Sequence, residues 1–246
     1  MSTQTFIFVH DQNIILDYIQ VNKFSNLDNL TYMFLGGGDT SKIKDLSNVI
    51  ICRELPINIE EYPKLTSFSG WYAIWKNNLY THDFINLFEY DINLSPNFNE
   101  TTQNNLTSET EIVGYIPFSP HDYAFLKHTP WVKELSESIK SNYNIDIISE
   151  INGLPHDIIC SMTSNHTFSK SSFEKYMEWM EPMIDDVKIS NLSGHQAERS
   201  ISLFYLLHKL ENVKVIPDIL HHFQFDSHKT QGIGEEKFIN NYSKLL

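Results

Sequence analysis

The sequence predicts a single α/β domain, 1–246, with a mostly parallel central sheet flanked by helices. Three observations predict it. Short apolar runs rich in β-branched and aromatic residues alternate with segments of helical spacing, the pattern of strand–helix–strand units. Hydrophobic residues make up 41% and aromatics 13% of 246 residues, enough for one packed core. No stretch reads as a linker that would divide the chain, and no repeat of solenoid period is visible.

The elements follow in order. Residues 5–9 are an apolar, β-rich run, and 13–23 carry helical spacing at Ile14, Ile15, Tyr18 and Ile19. Residues 30–35 form a second strand closed by Gly36-Gly37-Gly38-Asp39, and 48–52 a short third one. A helix over 65–77 precedes a fourth strand over 84–88. The polar, Asn- and Thr-rich stretch 93–110 reads as a surface loop or hairpin. A strand over 111–116 ends at Pro117, and PFSPHDY reads as a turn. Residues 131–143 are amphipathic, with Pro130 suited to a helix start. Two further helices are expected over 169–180 and 194–210, then a late strand over 213–216 before a His-rich tail.

Charge and cysteine usage narrow the function. The formal net charge is −13 and the pI near 5.2, which argues against a nucleic-acid partner, since phosphate binding needs clustered Lys and Arg. An anionic ligand would need local help from a metal or from helix N-termini. Cys52 and Cys160 stand far apart and form no CxxC pair, so neither a disulfide scaffold nor a structural zinc site is expected. MSTQTFIFVHDQ has no signal-peptide pattern, and no run is long enough to cross a bilayer; the expectation is a cytoplasmic protein without a transmembrane segment. The Asn-x-Ser/Thr triplets at Asn99, Asn105, Asn165 and Asn191 reflect Asn-rich composition rather than glycosylation.

The stretch 64–94 carries most of the chemistry. Its strand ends in Glu89-Tyr90-Asp91. Residues two apart on an extended chain project to one side, so Glu89 and Asp91 are expected to aim two carboxylates at one point. In an open α/β sheet that point is the crevice beyond the carboxyl ends of the strands, where ligands bind. Mg²⁺ and Mn²⁺ prefer carboxylate oxygens and share them with substrate phosphates, so the pattern points to a metal–diphosphate site. The plain alternative is a solvated acidic junction.

LTSFSGWYAIWKN followed by THDFINLFEYDINL resembles the W-A-W-K-N … D-Y-I-G region of bacterial and viral capsular-polysaccharide glycosyltransferases. Later, GHQAERSISLFYLLHKL resembles their G-x-x-A-E-R-L-x-x-x-W-L helix, in the expected order. The resemblance implies a GT-A-type, Rossmann-like, nucleotide-sugar-dependent glycosyltransferase of polysaccharide biosynthesis. Residues 1–95 would then form the nucleotide-binding half, and 96–246 the acceptor-binding half and tail. The usual acidic motif of such enzymes is Asp-x-Asp; here Glu89 stands first, and the last acid, Asp91, is the favoured ligand.

The resemblance assigns further roles. Glu198, near the start of its helix, would act as general base on the acceptor hydroxyl if the reaction inverts. The alternative is that it caps the helix or pairs with Arg199 or Lys209. In the tail, His228 would complete the metal site and Lys229 would meet the diphosphate as a point charge, with His222 as the competing ligand. The strand ending at Val9-His10 lies where nucleoside and ribose rest in this fold, and Lys64 is a phosphate candidate. Gly36, Gly37 and Gly38 read as a tight turn, and Trp71 and Trp75 as core. Trp131, Tyr115 and the His121–Asp122 pair are acceptor candidates, since sugars stack on aromatic faces.

The expected reaction moves a hexosyl or deoxyhexosyl unit from a nucleotide diphosphate sugar to a hydroxyl of a glycan or lipid-linked acceptor, assisted by Mn²⁺ or Mg²⁺. Two rivals stand beside it. One is a catalytically silent nucleotide- or sugar-binding module of the same fold, which the imperfect acidic motif permits. The other is a metal-dependent hydrolase using the histidines with Asp157, Asp185 or Asp186, although no HxH or HExxH spacing is present.

Overall fold

The structure, a computed structural model, describes residues 1–121, 133–161, 163–187 and 194–222. Strand β1 (Thr3–Val9) leads through Asp11, whose side chain accepts from the Asn13 amide at 2.8 Å and caps α1 (Gln12–Gln20). The chain returns as β2 (Leu30–Phe34) and β3 (Val49–Ile51). Helix α2 (Ser67–Lys76) precedes β4 (Phe84–Glu89), and β5 (Ile92–Leu94) and α3 (Phe98–Asn105) follow. The second half contains β6 (Ile112–Gly114), β7 (Pro117–Phe118), α4 (Lys133–Tyr143), α5 (Ile147–Asn152), β8 (Cys160–Ser161) and β9 (His166–Ser169). Helices α6 (Lys170–Val187) and α7 (Gly194–Leu207) then lead to β10 (Val213–Val215) and β11 (Leu220–His222).

Among the described residues seven strands form the central sheet, in the order β10-β6-β9-β4-β1-β2-β3. β1 pairs parallel with both β2 and β4, β2 with β3, and β10 with β6; β9 alone runs antiparallel, between β4 and β6. This is the mostly parallel, helix-flanked sheet that the alternation of elements predicts. Side chains of β1 alternate between two apolar layers. Phe6 and Phe8 join Trp71, Phe173, Tyr176 and Phe204 on the side of α2, α6 and α7. Ile7 and Val9 join Ile14, Ile15 and Tyr18 of α1 on the other side. All four β1 residues are essentially buried, each worth about 1.5–3 kcal/mol relative to exposure.

Three departures from the sequence reading have physical causes. The 93–110 stretch is not only loop: α3 forms there because Phe98 is fully buried, its ring 5.7 Å from Phe88 and 5.3 Å from Tyr115. The helix expected over 169–180 continues to Val187 through Pro182, since Met183 and Ile184 beyond the proline are still packed into the core. The third departure is β9, a polar sheet strand the pattern of apolar residues did not show. Its Thr167 sits in a buried network. Asn86 on β4 donates to Thr5 Oγ1 at 3.0 Å, Thr167 Oγ1 donates to Asn86 Oδ1 at 2.6 Å, and Tyr115 lies 2.5 Å from the same hydroxyl. A satisfied network lets polar residues occupy a sheet interior.

Candidate active site

The carboxyl ends of β1 and β4 lie side by side, Phe8 being registered opposite Glu89. His10 follows β1 and meets Tyr90 edge-on at 5.0 Å. Partial desolvation holds its imidazole below its usual range, and the charges of Asp11 and Glu89 pull it upward. His10 and Glu89 therefore share one electrostatic environment. Val9 differs: its side chain is fully buried in the α1 layer, and only its main chain reaches the edge, accepting from the Leu35 amide at 2.8 Å.

Glu89 is half-buried and held from two sides. Its Oε1 accepts from the Ser67 hydroxyl, at the start of α2, at 2.9 Å. Its main-chain N–H donates to Asn165 Oδ1 at 2.8 Å. β4 ends there, and Tyr90 and Asp91 form a bend before β5 begins. The alternation that predicted a shared aim for Glu89 and Asp91 applies along an extended strand, and here the chain turns between them. Asp91 is only 3% exposed, and its charge acts on Lys23. Burial pushes the Lys23 amine down to about 8, with Asp91 resisting the shift. Lys23 also lies 4.6 Å over the Tyr18 ring, whose hydroxyl donates to the Tyr90 carbonyl at 2.9 Å. A hollow of about 400 Å³, lined by Asn22, Lys23, Phe24, Asn93 and Ser95, opens on this side.

The start of α2 is also where α7 arrives. A Cβ on Gly194 would lie 2.2 Å from Thr66 Oγ1, so only glycine lets the two helix starts touch. Thr66 itself has φ 49° and ψ −128°, a strained conformation for a β-branched residue. Lys64 precedes it in a short 3-10 turn and is exposed. Glu198 lies one turn into α7, half-buried, and its charge acts on the neighbouring Arg199, whose guanidinium is held low by burial.

The glycine loop after β2 is fixed from several directions. Gly36 has φ +80°, and its N–H donates to Glu60, which also accepts from the Ser69 hydroxyl. Arg53 donates to the carbonyls of Gly36 and Gly38, both at 3.0 Å. A Cβ on Gly38 would sit 3.5 Å from the His10 carbonyl, which places this loop against the end of β1. Glu60 and Arg53 thus fix the glycine loop, Ser67 and Asn165 hold Glu89, and sequence reasoning assigned none of them a role there. Ser67 lies inside the segment that carries the resemblance, and Asn165 stands out in the sequence only as part of an Asn-x-Ser/Thr triplet.

His228 and Lys229 lie outside the described residues, as do Asp122 and Trp131. Among the described residues no three His, Cys, Asp or Glu side chains come together as a metal-binding group. An ion of the Mg²⁺ type is commonly held through one or two carboxylates, with waters and substrate phosphates completing its shell. The oxygen donors of Glu89 and Asp91 fit that requirement in kind. Cys52 and Cys160 are both buried free thiols. Among the described residues no helix is long and apolar enough to cross a membrane.

The chain has the fold of WbbM, a bifunctional glycosyltransferase solved in its apo form, with a TM-score of 0.63 at 14% sequence identity. The match covers 89% of this chain and 45% of WbbM, so the chain spans less than half the length of that protein. No protein-family model matches the sequence, and no curated protein matches it. What the chain shares with WbbM is the architecture, a mostly parallel sheet flanked by helices.

Proposed function

We propose that this chain transfers a hexosyl or deoxyhexosyl unit from a nucleotide diphosphate sugar to a hydroxyl of a glycan or lipid-linked acceptor. One observation carries the reading. At the carboxyl edge of a sheet shared with a glycosyltransferase, Glu89 is fixed by Ser67 and Asn165 beside His10, while Asp91 follows in the bend. Ligands of open α/β sheets bind at that edge. His10, the Val9 main chain and the glycine loop would receive the nucleoside and ribose. Lys64 and Lys229 would meet the diphosphate as point charges. Glu89 and Asp91, with His228, would hold Mn²⁺ or Mg²⁺. When bound, such a cation neutralises charge developing on the departing diphosphate. Glu198 would take the acceptor proton in an inverting transfer.

The net charge of −13 favours this division of labour, since a chain so acidic needs a local cation to attract a diphosphate. The test is direct. The protein is incubated with Mn²⁺ and either uridine or guanosine diphosphate sugars, with and without glycan acceptors, and release of nucleoside diphosphate is followed. Turnover that needs both cation and donor is the expected result. Binding without hydrolysis or transfer, under every donor and acceptor tried, would instead identify a silent sugar-nucleotide module.

A further inference from the structure

We infer that Asn165 is a positioning residue for Glu89, and through it for the cation–diphosphate end of the donor; the inference rests on the site reading above. The β4–β9 ladder ends at the pair Leu87 and His166. Beyond that pair the Glu89 N–H still faces the β9 side, because the next amide, Tyr90 N–H, donates to Phe8 on β1. The Asn165 side chain takes over where the ladder stops, accepting that N–H at 2.8 Å. The main chain of Glu89 is thereby fixed on one side and its carboxylate on the other, by Ser67.

The chemistry of the residue fits this task better than a packing role. Asn165 is fully buried, and its Nδ2 has no hydrogen-bond partner among the described residues. A stranded buried donor costs folding free energy, so the Oδ1 that accepts from Glu89 is the half of the carboxamide the fold uses. The carboxamide supplies a neutral acceptor; an aspartate there would set a second negative charge against Glu89. Its own main chain is anchored too, its N–H donating to Thr163 Oγ1 at 3.3 Å. Thr163, Ser164 and His166 around it are all buried, which makes the platform stiff.

Calorimetric titration of Mn²⁺, alone and with uridine or guanosine diphosphate, tests the inference on four proteins: wild type, Asn165→Ala, Glu89→Gln and the double variant. All are titrated well below the melting temperature of each, measured by circular dichroism. Asn165→Ser, too short to reach the Glu89 N–H, stands in if the alanine variant does not fold. The expected result is an affinity for Mn²⁺ lowered about tenfold by Asn165→Ala, in the range found for residues that orient metal ligands. In the Glu89→Gln background the same change should add less than about twofold, since its effect passes through Glu89. Losses that simply add, or an unchanged affinity in Asn165→Ala, would overturn the inference and leave the site reading standing. A wild-type protein that binds neither cation nor nucleotide would overturn both, and that outcome is seen before any variant is compared.

Discussion

His166 is fully buried at the start of β9, its ring facing the main chain at Ser161 and Thr163. Burial pushes its imidazole down to about 3, with the nearby main chain at Ser161 and Thr163 only softening the shift. Its folded pKa thus lies below the ordinary value of 6.5, so the unfolded chain takes up the proton first. The stability tied to the neutral ring is complete above about pH 6.5 and falls as pH drops toward 3, by up to about 5 kcal/mol. Urea unfolding of wild type and His166→Gln at pH 7, 5 and 4 checks this: the variant should show a shallower loss of stability on acidification. Parallel curves for the two proteins would remove His166 from the account. At this scale legibility followed sequence distance. Glu89 could be read because it lies in one local segment with the strand that carries it, while Ser67, 22 positions away, could not. Asn165 could not, since its bond to Glu89 joins positions 76 apart.

Among the elements, β1, α1, α2 and β4 were readable because apolar periodicity alone decides them: Ile14, Ile15 and Tyr18 face one layer, and Phe6 and Phe8 the other. β9 escaped because what buries it is a hydrogen-bond network rather than apolar side chains. That network makes a prediction. Thr167→Val keeps the shape but removes the hydroxyl that serves both Asn86 Oδ1 and Tyr115. Leaving the buried Asn86 Oδ1 without its donor should cost about 1–3 kcal/mol, read as a lower urea midpoint with the slope unchanged. A midpoint equal to wild type would mean that the network adds nothing to the sheet. α3 escaped for the opposite reason. Its composition is polar, and a single residue, Phe98, anchors it through rings that arrive from β4 and from Tyr115.

For the whole molecule, the fold class was legible from strand–helix alternation, and the sheet shared with WbbM agrees with it. The place of the candidate site is an expectation from topology, the carboxyl edge of a parallel sheet. Its detailed shape was not legible, because it depends on the bend at Tyr90–Asp91 and on contacts from Asn165, Arg53 and Glu60 that no local pattern encodes. The acidic surface adds a prediction at this scale. With a net charge of −13, nucleoside diphosphate should bind at least about 100-fold more weakly when divalent cation is removed with EDTA than in millimolar Mn²⁺. Fluorescence titration with a labelled nucleotide would show it, and equal affinity in both conditions would mean that protein cations alone hold the diphosphate.

The most direct test of the central claim is donor turnover at saturating Mn²⁺, with cation affinity measured on the same samples, for wild type, Glu89→Gln and Asp91→Ala. Turnover in the Asp91→Ala protein, assayed well below its own melting temperature, should fall at least about 100-fold, with weaker Mn²⁺ binding. An Asp91→Ala protein that kept wild-type turnover and manganese affinity would contradict the account.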